Sequence, residues 1–258
     1  MKVVIFAGGL GTRLAEETDV RPKPMVEIGG RPILWHIMKT YSHYGYNDFI
    51  ICLGYRGIYI KEYFLNYYMH NSDMTIELRN NNIDIHYTQT ESFNVTLVDT
   101  GTDTKTAGRL KRIQQYIKDE PFMLTYGDGV CDVNIGKLVD FHNQHGKIAT
   151  VTAIQPAPRF GEMELKENGA VQIFKEKPAG DRRWINGGFF VLSPEVFSYL
   201  DNNADDIMWE DDPLETLSNK GQLMAYRHYG FWKCMDAMRD KIELEELWQT
   251  NNAKWKIW

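Results

Sequence analysis

The stretch Val3-Val4-Ile5-Phe6-Ala7-Gly8-Gly9-Leu10-Gly11-Thr12-Arg13-Leu14 decides how the rest of the chain is read. From Lys2 to Ala7 the run is continuous, apolar beyond its first residue and rich in β-branched side chains, which predicts a strand buried on both faces. Glycines close it, so the strand ends in a loop. Working outward, Ile33, Leu34, Ile37, Met38 and Tyr41 recur at helical spacing, and Asp48 to Leu53 supplies a second buried strand ended by Gly54. Ile58 to Tyr68 resumes a helical pattern. Strand, helix, strand, helix in that order predicts a parallel sheet with helices on its faces.

Further along, Thr75 to Leu78 and Ile83 to Tyr87 alternate in polarity around Asn80-Asn81-Asn82, as a strand pair joined by a turn would. Leu110, Ile113, Tyr116 and Ile117 form a helical stripe. Phe122 to Tyr126 is another buried strand, ending at Gly127-Asp128-Gly129, and Ile148 to Ile154 is a further one. From Gln155 to about Leu192 prolines and glycines break the chain into short strands. Helix returns around Pro194 to Leu200 and Asp236 to Gln249. The predicted fold class is therefore α/β: a mixed, mainly parallel sheet flanked by helices, with a small antiparallel accessory region. No linker or repeat divides the chain, so 1–258 reads as one domain with accessory strands near 75–100 and 155–192.

Composition narrows the function. The 258 residues are 43% hydrophobic and 25% charged, which excludes disorder. With 29 Lys plus Arg against 35 Asp plus Glu, no general basic field exists to hold a nucleic acid, and any phosphate site must be local. Three cysteines without CxxC spacing predict reduced thiols. No run of 18 apolar residues occurs, and the apolar start is too short for a signal segment, so no membrane partner and a cytoplasmic location are expected.

The glycine turn follows a buried strand, and ligands of open parallel sheets bind at that end. Glycines let backbone N–H groups approach phosphate oxygens. The dinucleotide pattern fails, because it needs glycine at Leu14, and the Gly-Lys-Ser/Thr phosphate loop is absent. Two cations follow: Arg13 in the turn, and Lys23 between Pro22 and Pro24, where flanking prolines predict a lysine held in extended chain. A fixed arginine and lysine beside free N–H groups suit a polyphosphate.

These residues, with Arg21-Pro22-Lys23-Pro24-Met25, resemble the sugar-1-phosphate nucleotidyltransferase family. The likeness continues through Val26 to Gly30, Ile33 to Met38, Asn94 to Gly101, Gly108 to Arg112 and Trp184 to Phe190. Ala15-Glu16-Glu17-Thr18 is similar to the cytidylyltransferase branch, while Phe93 and the pair Arg182-Arg183 depart from it. The resemblance implies a Rossmann-like nucleotidyltransferase fold and transfer of a cytidylyl group from CTP to glucose 1-phosphate, releasing pyrophosphate. Another pyrimidine triphosphate, another phosphorylated acceptor, or a non-catalytic nucleotide-sugar-binding homologue are the competing readings. A homo-oligomer is implied as well, with a hexamer as one form, and the aromatic segments 63–68 and 93–97 are candidate contacts.

Site residues follow from the same likeness. Phe6, Ala7, Gly8, Gly9, Leu10, Gly11, Thr12, Arg13, Lys23, Thr104, Arg109, Gly127 and Asp128 are expected around the nucleotide, with Arg13, Lys23 and Asp128 catalytic. Glu176, Lys177, Asn186 and Gly187 are expected around the sugar phosphate. Asp128 and Asp236 match the family's Mg²⁺ ligands, and hard carboxylate oxygens are what that ion prefers. Local sequence alone leaves Asp128 as a turn residue, Asp236 as a helix N-cap and Glu176-Lys177 as a solvated face. A phosphate nucleophile is already largely dianionic near neutral pH, so no histidine base is expected.

Overall fold

In a computed structural model of the chain, residues 1–156, 162–175, 183–200 and 203–258 are described. The elements run β1 (Val3–Ala7), α1 (Ala15–Thr18), the short pair β2 (Glu27–Ile28) and β3 (Arg31–Pro32), α2 (Ile33–His43), β4 (Asp48–Leu53), α3 (Gly57–Leu65) and α4 (Tyr67–His70). Then come the hairpin β5 (Ser72–Glu77) and β6 (Asn82–Thr88), β7 (Asn94–Asp99), α5 (Thr106–Arg112), β8 (Phe122–Tyr126), β9 (Gly129–Cys131), α6 (Ile135–His145) and β10 (Ala149–Ile154). The last part holds β11 (Glu162–Leu165), β12 (Val171–Lys175), β13 (Ile185–Leu192), α7 (Asp212–Asn219), β14 (Leu223–His228), β15 (Trp232–Cys234) and α8 (Met238–Gln249).

Seven strands form the central sheet in the order β14-β10-β13-β8-β1-β4-β7. All neighbours are parallel except at β13, which is antiparallel to both β8 and β10. The α/β expectation, mixed and mainly parallel, is what the chain adopts. The uninterrupted apolar runs have their cause here: β1 is buried at every position, and β4 at all but its first. One core layer gathers Ile5, Met38, Tyr41 and Trp255 on one face; the other gathers Val4, Leu110, Phe190 and Trp209.

The accessory stretches divide. Among the described residues, strands β5 and β6 pair only with each other, as do β11 and β12. By contrast β7, inside the stretch read as accessory near 75–100, is an edge of the central sheet, and β13, at the end of 155–192, lies in its middle. As an edge strand, β7 is covered less completely than β1 and β4. The segment read as helix from Pro194 is a 3₁₀ helix, Pro194–Tyr199.

The strand order matters for function. From β1 the chain first builds outward through β4 and β7, then returns to lay β8 on the other side of β1. That reversal opens a crevice at the carboxyl ends of β1 and β8, where α/β folds bind ligands.

Candidate active site

Two loops meet at this crevice. Phe6 and Tyr126 are neighbours in the β1–β8 ladder, so Gly8 to Leu14 and Gly127-Asp128 emerge side by side. Between them and residues 102–106 lies a cleft of about 600 Å³. Its walls include Phe6, Ala7, Gly8, Gly9, Leu10, Gly11, Thr12, Lys23, Thr104, Arg109, Gly127 and Asp128, so the structure brings together the residues expected around the nucleotide. The Arg13 side chain lies outside the described residues.

The glycine turn is held from within. Gly11 adopts a left-handed φ of +67°, a conformation open to glycine at little cost. Leu14 N–H donates to Gly11 C=O at 2.9 Å, and Thr18 Oγ1 donates to the carbonyls of Gly11 and Leu14 at 3.1 and 2.9 Å. Gly8 is demanded by a different neighbour. A Cβ there would stand 2.1 Å from a guanidinium nitrogen of Arg109.

Arg109 is 4% exposed and serves the backbone. It donates to the carbonyls of Leu53, Gly8 and Gly101 at 2.9, 3.0 and 2.9 Å, and to Thr100 Oγ1 at 2.8 Å. One cation thereby ties the ends of β1 and β4 to the loop that starts α5. Burial of this guanidinium lowers its pKa, with the Cys52 sulfur opposing. The adjoining loop is docked too, since Lys105 N–H and Ala107 N–H donate to the carbonyls of Asp205 and Ile207. Thr104 is buried with it.

The carboxylates are joined by a ladder that sequence spacing could not reveal. Strands β9 and β15 pair antiparallel with Gly129 opposite Cys234, and Met235 N–H donates to Asp128 C=O at 2.9 Å. Asp128 and Asp236 thus face one another across 108 residues of chain. Asp236 is not the N-cap of α8. That place belongs to Ala237, and Asp240 caps the helix by accepting from the N–H groups of Asp236 and Ala237 at 3.1 and 3.0 Å.

Lys23 sits between the two aspartates, its Nζ 2.7 Å from Asp128 Oδ2 and 2.7 Å from Asp236 Oδ1. The extended geometry expected from its prolines is not found. Lys23 opens a 3₁₀ turn, Lys23–Met25, with Met25 N–H donating to Pro22 C=O and Val26 N–H to Lys23 C=O. Proline is tolerated in a first turn because its missing N–H has no partner to lose. Burial would lower the lysine pKa, but the charges and hydrogen bonds of Asp128 and Asp236 outweigh it and raise the value above that of an ordinary lysine. The group is a fixed cation.

These residues fit a divalent metal. Two converging carboxylates supply the hard oxygen donors that Mg²⁺ takes from a protein. The Cys234 sulfur completes the group, within 4.8 Å of the carboxylate oxygens. Burial, then the Asp128 charge, pushes its thiol pKa up.

On the sugar side, Asn186 and Gly187 lead β13 toward the crevice. Asn186 Nδ2 donates to Tyr126 Oη at 3.3 Å, and Trp232 Nε1 donates to Gly187 C=O at 2.7 Å. Glu176 and Lys177 lie outside the described residues, as does Arg182. The sequence reading missed Tyr126 and Glu210, whose hydroxyl and carboxylate are hydrogen-bonded to each other, with Thr106 Oγ1 donating to the same carboxylate at 2.8 Å. No motif marks Glu210. Its only sequence signal is a charge beside Trp209, itself fully buried. No histidine lines the cleft among the described residues. His36 and His142 are instead buried structural groups.

Fold and site define a nucleotidyltransferase, and the chain belongs to that family: the nucleotidyl transferase family model matches residues 2–236. It is similar over its full length to glucose-1-phosphate cytidylyltransferase of Salmonella typhimurium, with 57% identity over 259 aligned residues covering 100% of both chains. Mannose-1-phosphate guanyltransferase of Aspergillus oryzae is 29% identical, covering 98% of this chain and 66% of that protein. Among solved structures, UDP-glucose pyrophosphorylase complexed with UDP-glucose superimposes with a TM-score of 0.69 over 97% of this chain and 98% of that one. At 17% identity, this last likeness speaks for the fold. Among the described residues no helix is long and apolar enough to cross a membrane.

Proposed function

We propose that the enzyme transfers a cytidylyl group from CTP to glucose 1-phosphate, giving CDP-glucose and pyrophosphate. The observation that carries this reading is the cleft itself: a glycine turn, a fixed lysine and two converging carboxylates at the switch point of the sheet, in a chain 57% identical to a glucose-1-phosphate cytidylyltransferase. A phosphate oxygen of the sugar phosphate attacks the α-phosphorus, and pyrophosphate leaves in line. Backbone N–H groups of Gly8 to Thr12 bind the triphosphate, and Lys23 neutralises charge on its phosphates. Asp128 and Asp236 are the residues that would hold Mg²⁺, which supplies charge neutralisation between two phosphate-bearing substrates.

Arg109 positions rather than reacts, because its donors are committed to carbonyls that shape the turn. Asn186 and Glu210 offer polar groups to sugar hydroxyls, and the sequence expectation for Glu176 and Lys177 joins them there. No general base is required. We propose further that copies of the chain associate through the aromatic groove of Phe64, Tyr67 and Phe93, beside which Leu65 and Tyr68 are exposed; sedimentation velocity gives the stoichiometry. The test of the activity is pyrophosphate release over a matrix of sugar 1-phosphates with CTP, with and without magnesium. Release with glucose 1-phosphate that stops on chelation supports the proposal, and release with none of the sugars defeats it.

A further inference from the structure

Lys23 is expected to serve the nucleotide, yet in the folded chain it serves the metal ligands. Its Nζ lies 2.7 Å from a carboxylate oxygen of each aspartate, and its side chain is 12% exposed. The prolines on either side and the 3₁₀ turn fix the backbone from which it reaches. The backbone of each aspartate is fixed as well, by means that do not involve Lys23: Met235 N–H holds the Asp128 carbonyl, and the Asp240 carboxylate holds the Asp236 N–H. The backbones that carry the two carboxylates therefore converge independently of the ammonium between them.

A divalent ion held by those oxygens would need the same gap the ammonium fills. Two cations cannot share it, because like charges at contact in a half-buried site repel strongly. Lysine has a long, rotatable stem and three donors without a fixed fork, so its ammonium can leave for a phosphate while its backbone stays in place.

We propose that Lys23 is an internal counter-ion that competes with the divalent metal for Asp128 and Asp236, so that the metal site opens when a nucleoside triphosphate draws the ammonium onto its phosphates. This rests on the assignment of the two aspartates as metal ligands. It makes the lysine the element that couples metal entry to nucleotide entry. In the nucleotide-free enzyme the pair of carboxylates is already neutralised in part, which keeps a lone metal weakly held. With nucleotide bound, the same lysine neutralises the triphosphate and vacates its place between the two carboxylates. Such coupling is reciprocal: the metal must favour nucleotide binding by the factor by which nucleotide favours metal binding.

The test is Mn²⁺ binding to the full-length, nucleotide-free protein, followed by electron paramagnetic resonance of the unbound ion. Parent, Lys23→Met, Lys23→Arg and Asp128→Asn are compared, with circular dichroism melts to establish that each is folded. Lys23→Met keeps the length of the stem and removes the charge, and it should bind Mn²⁺ at least about tenfold more tightly than the parent. Lys23→Arg keeps the charge and should remain weak. Should Lys23→Met fail to fold, Lys23→Gln is read in the same way. An Mn²⁺ affinity in the uncharged variant no higher than the parent's overturns the competition. If Asp128→Asn lowers Mn²⁺ binding in that same series, the metal assignment survives that failure; if it changes nothing in any background, the assignment itself is wrong.

Discussion

The two loops that meet at the crevice are both glycine-marked ends of parallel strands, yet they are built for different tasks. After β1, Gly8 is kept small by the Arg109 guanidinium, and the turn presents backbone, its shape secured by one buried cation serving five of the chain's own oxygens. After β8, Gly127 is kept small by the chain itself: a Cβ there would meet the Phe6 carbonyl at 2.7 Å, and the loop presents a charged side chain, Asp128. The first loop offers neutral donors to a polyanion. The second offers anions that a cation must balance. The metal-bound triphosphate proposed for this cleft needs one surface of each kind, and the β1–β8 pairing sets them side by side.

The largest expected effects fall on the second loop. Asp128→Asn and Asp236→Asn keep the size of each ligand but remove its charge, and each should lower turnover by at least about a hundredfold while shifting the magnesium titration upward. If both variants keep the parent's rate and titration, the contrast between the loops collapses and Asp128 is merely a turn residue. Lys23→Ala comes next. Losing one charge-assisted contact costs about 1.5 to 3 kcal/mol, or roughly tenfold to a few hundredfold in rate, and a rate within about twofold of the parent would remove Lys23 from the site.

Two alanine substitutions sharpen the account of the first loop. Gly8→Ala drives a methyl into Arg109, so both melting temperature and activity should fall, activity by about tenfold or more. Gly9→Ala meets no heavy atom within 4 Å, and should leave the melting temperature within about one degree. Any rise in KM for the nucleotide in that stable variant then reports phosphate passing close to Gly9. Equal thermal losses in both variants would contradict the role given to Arg109.

A smaller effect lies away from the cleft. Burial, opposed by hydrogen bonding to the backbone, lowers the His36 pKa to about 4. Its Nε2–H donates to Ile28 C=O at 2.8 Å, and Trp255 Nε1–H donates to its Nδ1 at 3.4 Å, an arrangement that only the neutral ring supports. Because the folded value lies below the unfolded value of about 6.5, this stability is complete above pH 6.5 and is lost as pH falls toward 4. The loss should reach about 2 kcal/mol by pH 5, a few degrees in Tm. Thermal melts at pH 7 and pH 5 check it: His142, whose pKa burial also lowers to about 4, adds a similar loss over the same window, so His36→Gln should remove about half of the difference.

What the sequence made legible follows from how local each signal is. The buried strands β1, β4, β8 and β10 announce themselves because burial on both faces leaves an unbroken apolar run. Gly8 to Gly11 and Lys23 are legible because glycine spacing and flanking prolines are local facts. The meeting of Asp128 with Asp236 is a product of the β9–β15 ladder, and those strands are three residues each, too short to leave a period. Arg109 was placed in the right neighbourhood, but its commitment to carbonyls depends on three segments converging, Gly8, Leu53 and residues 100–102. Glu210 was missed for the same reason: its partners Tyr126 and Thr106 lie 84 and 104 positions away.

The measurement that bears most directly on cytidylyl transfer in this cleft is the ratio of kcat/KM for CTP and UTP with glucose 1-phosphate as acceptor. Cytosine presents an amino donor where uracil presents a carbonyl, so a pocket of acceptors that fits one is left unpaired by the other, and dry sites of that kind discriminate by about 10⁴ or more. The cleft is lined in part by the exposed residues Thr102, Asp103 and Lys105, where water lowers the contrast, so a preference for CTP of at least roughly tenfold is expected. Comparable kcat/KM values for the two nucleotides would contradict the cytidylyl assignment, while leaving the chain a nucleotidyltransferase.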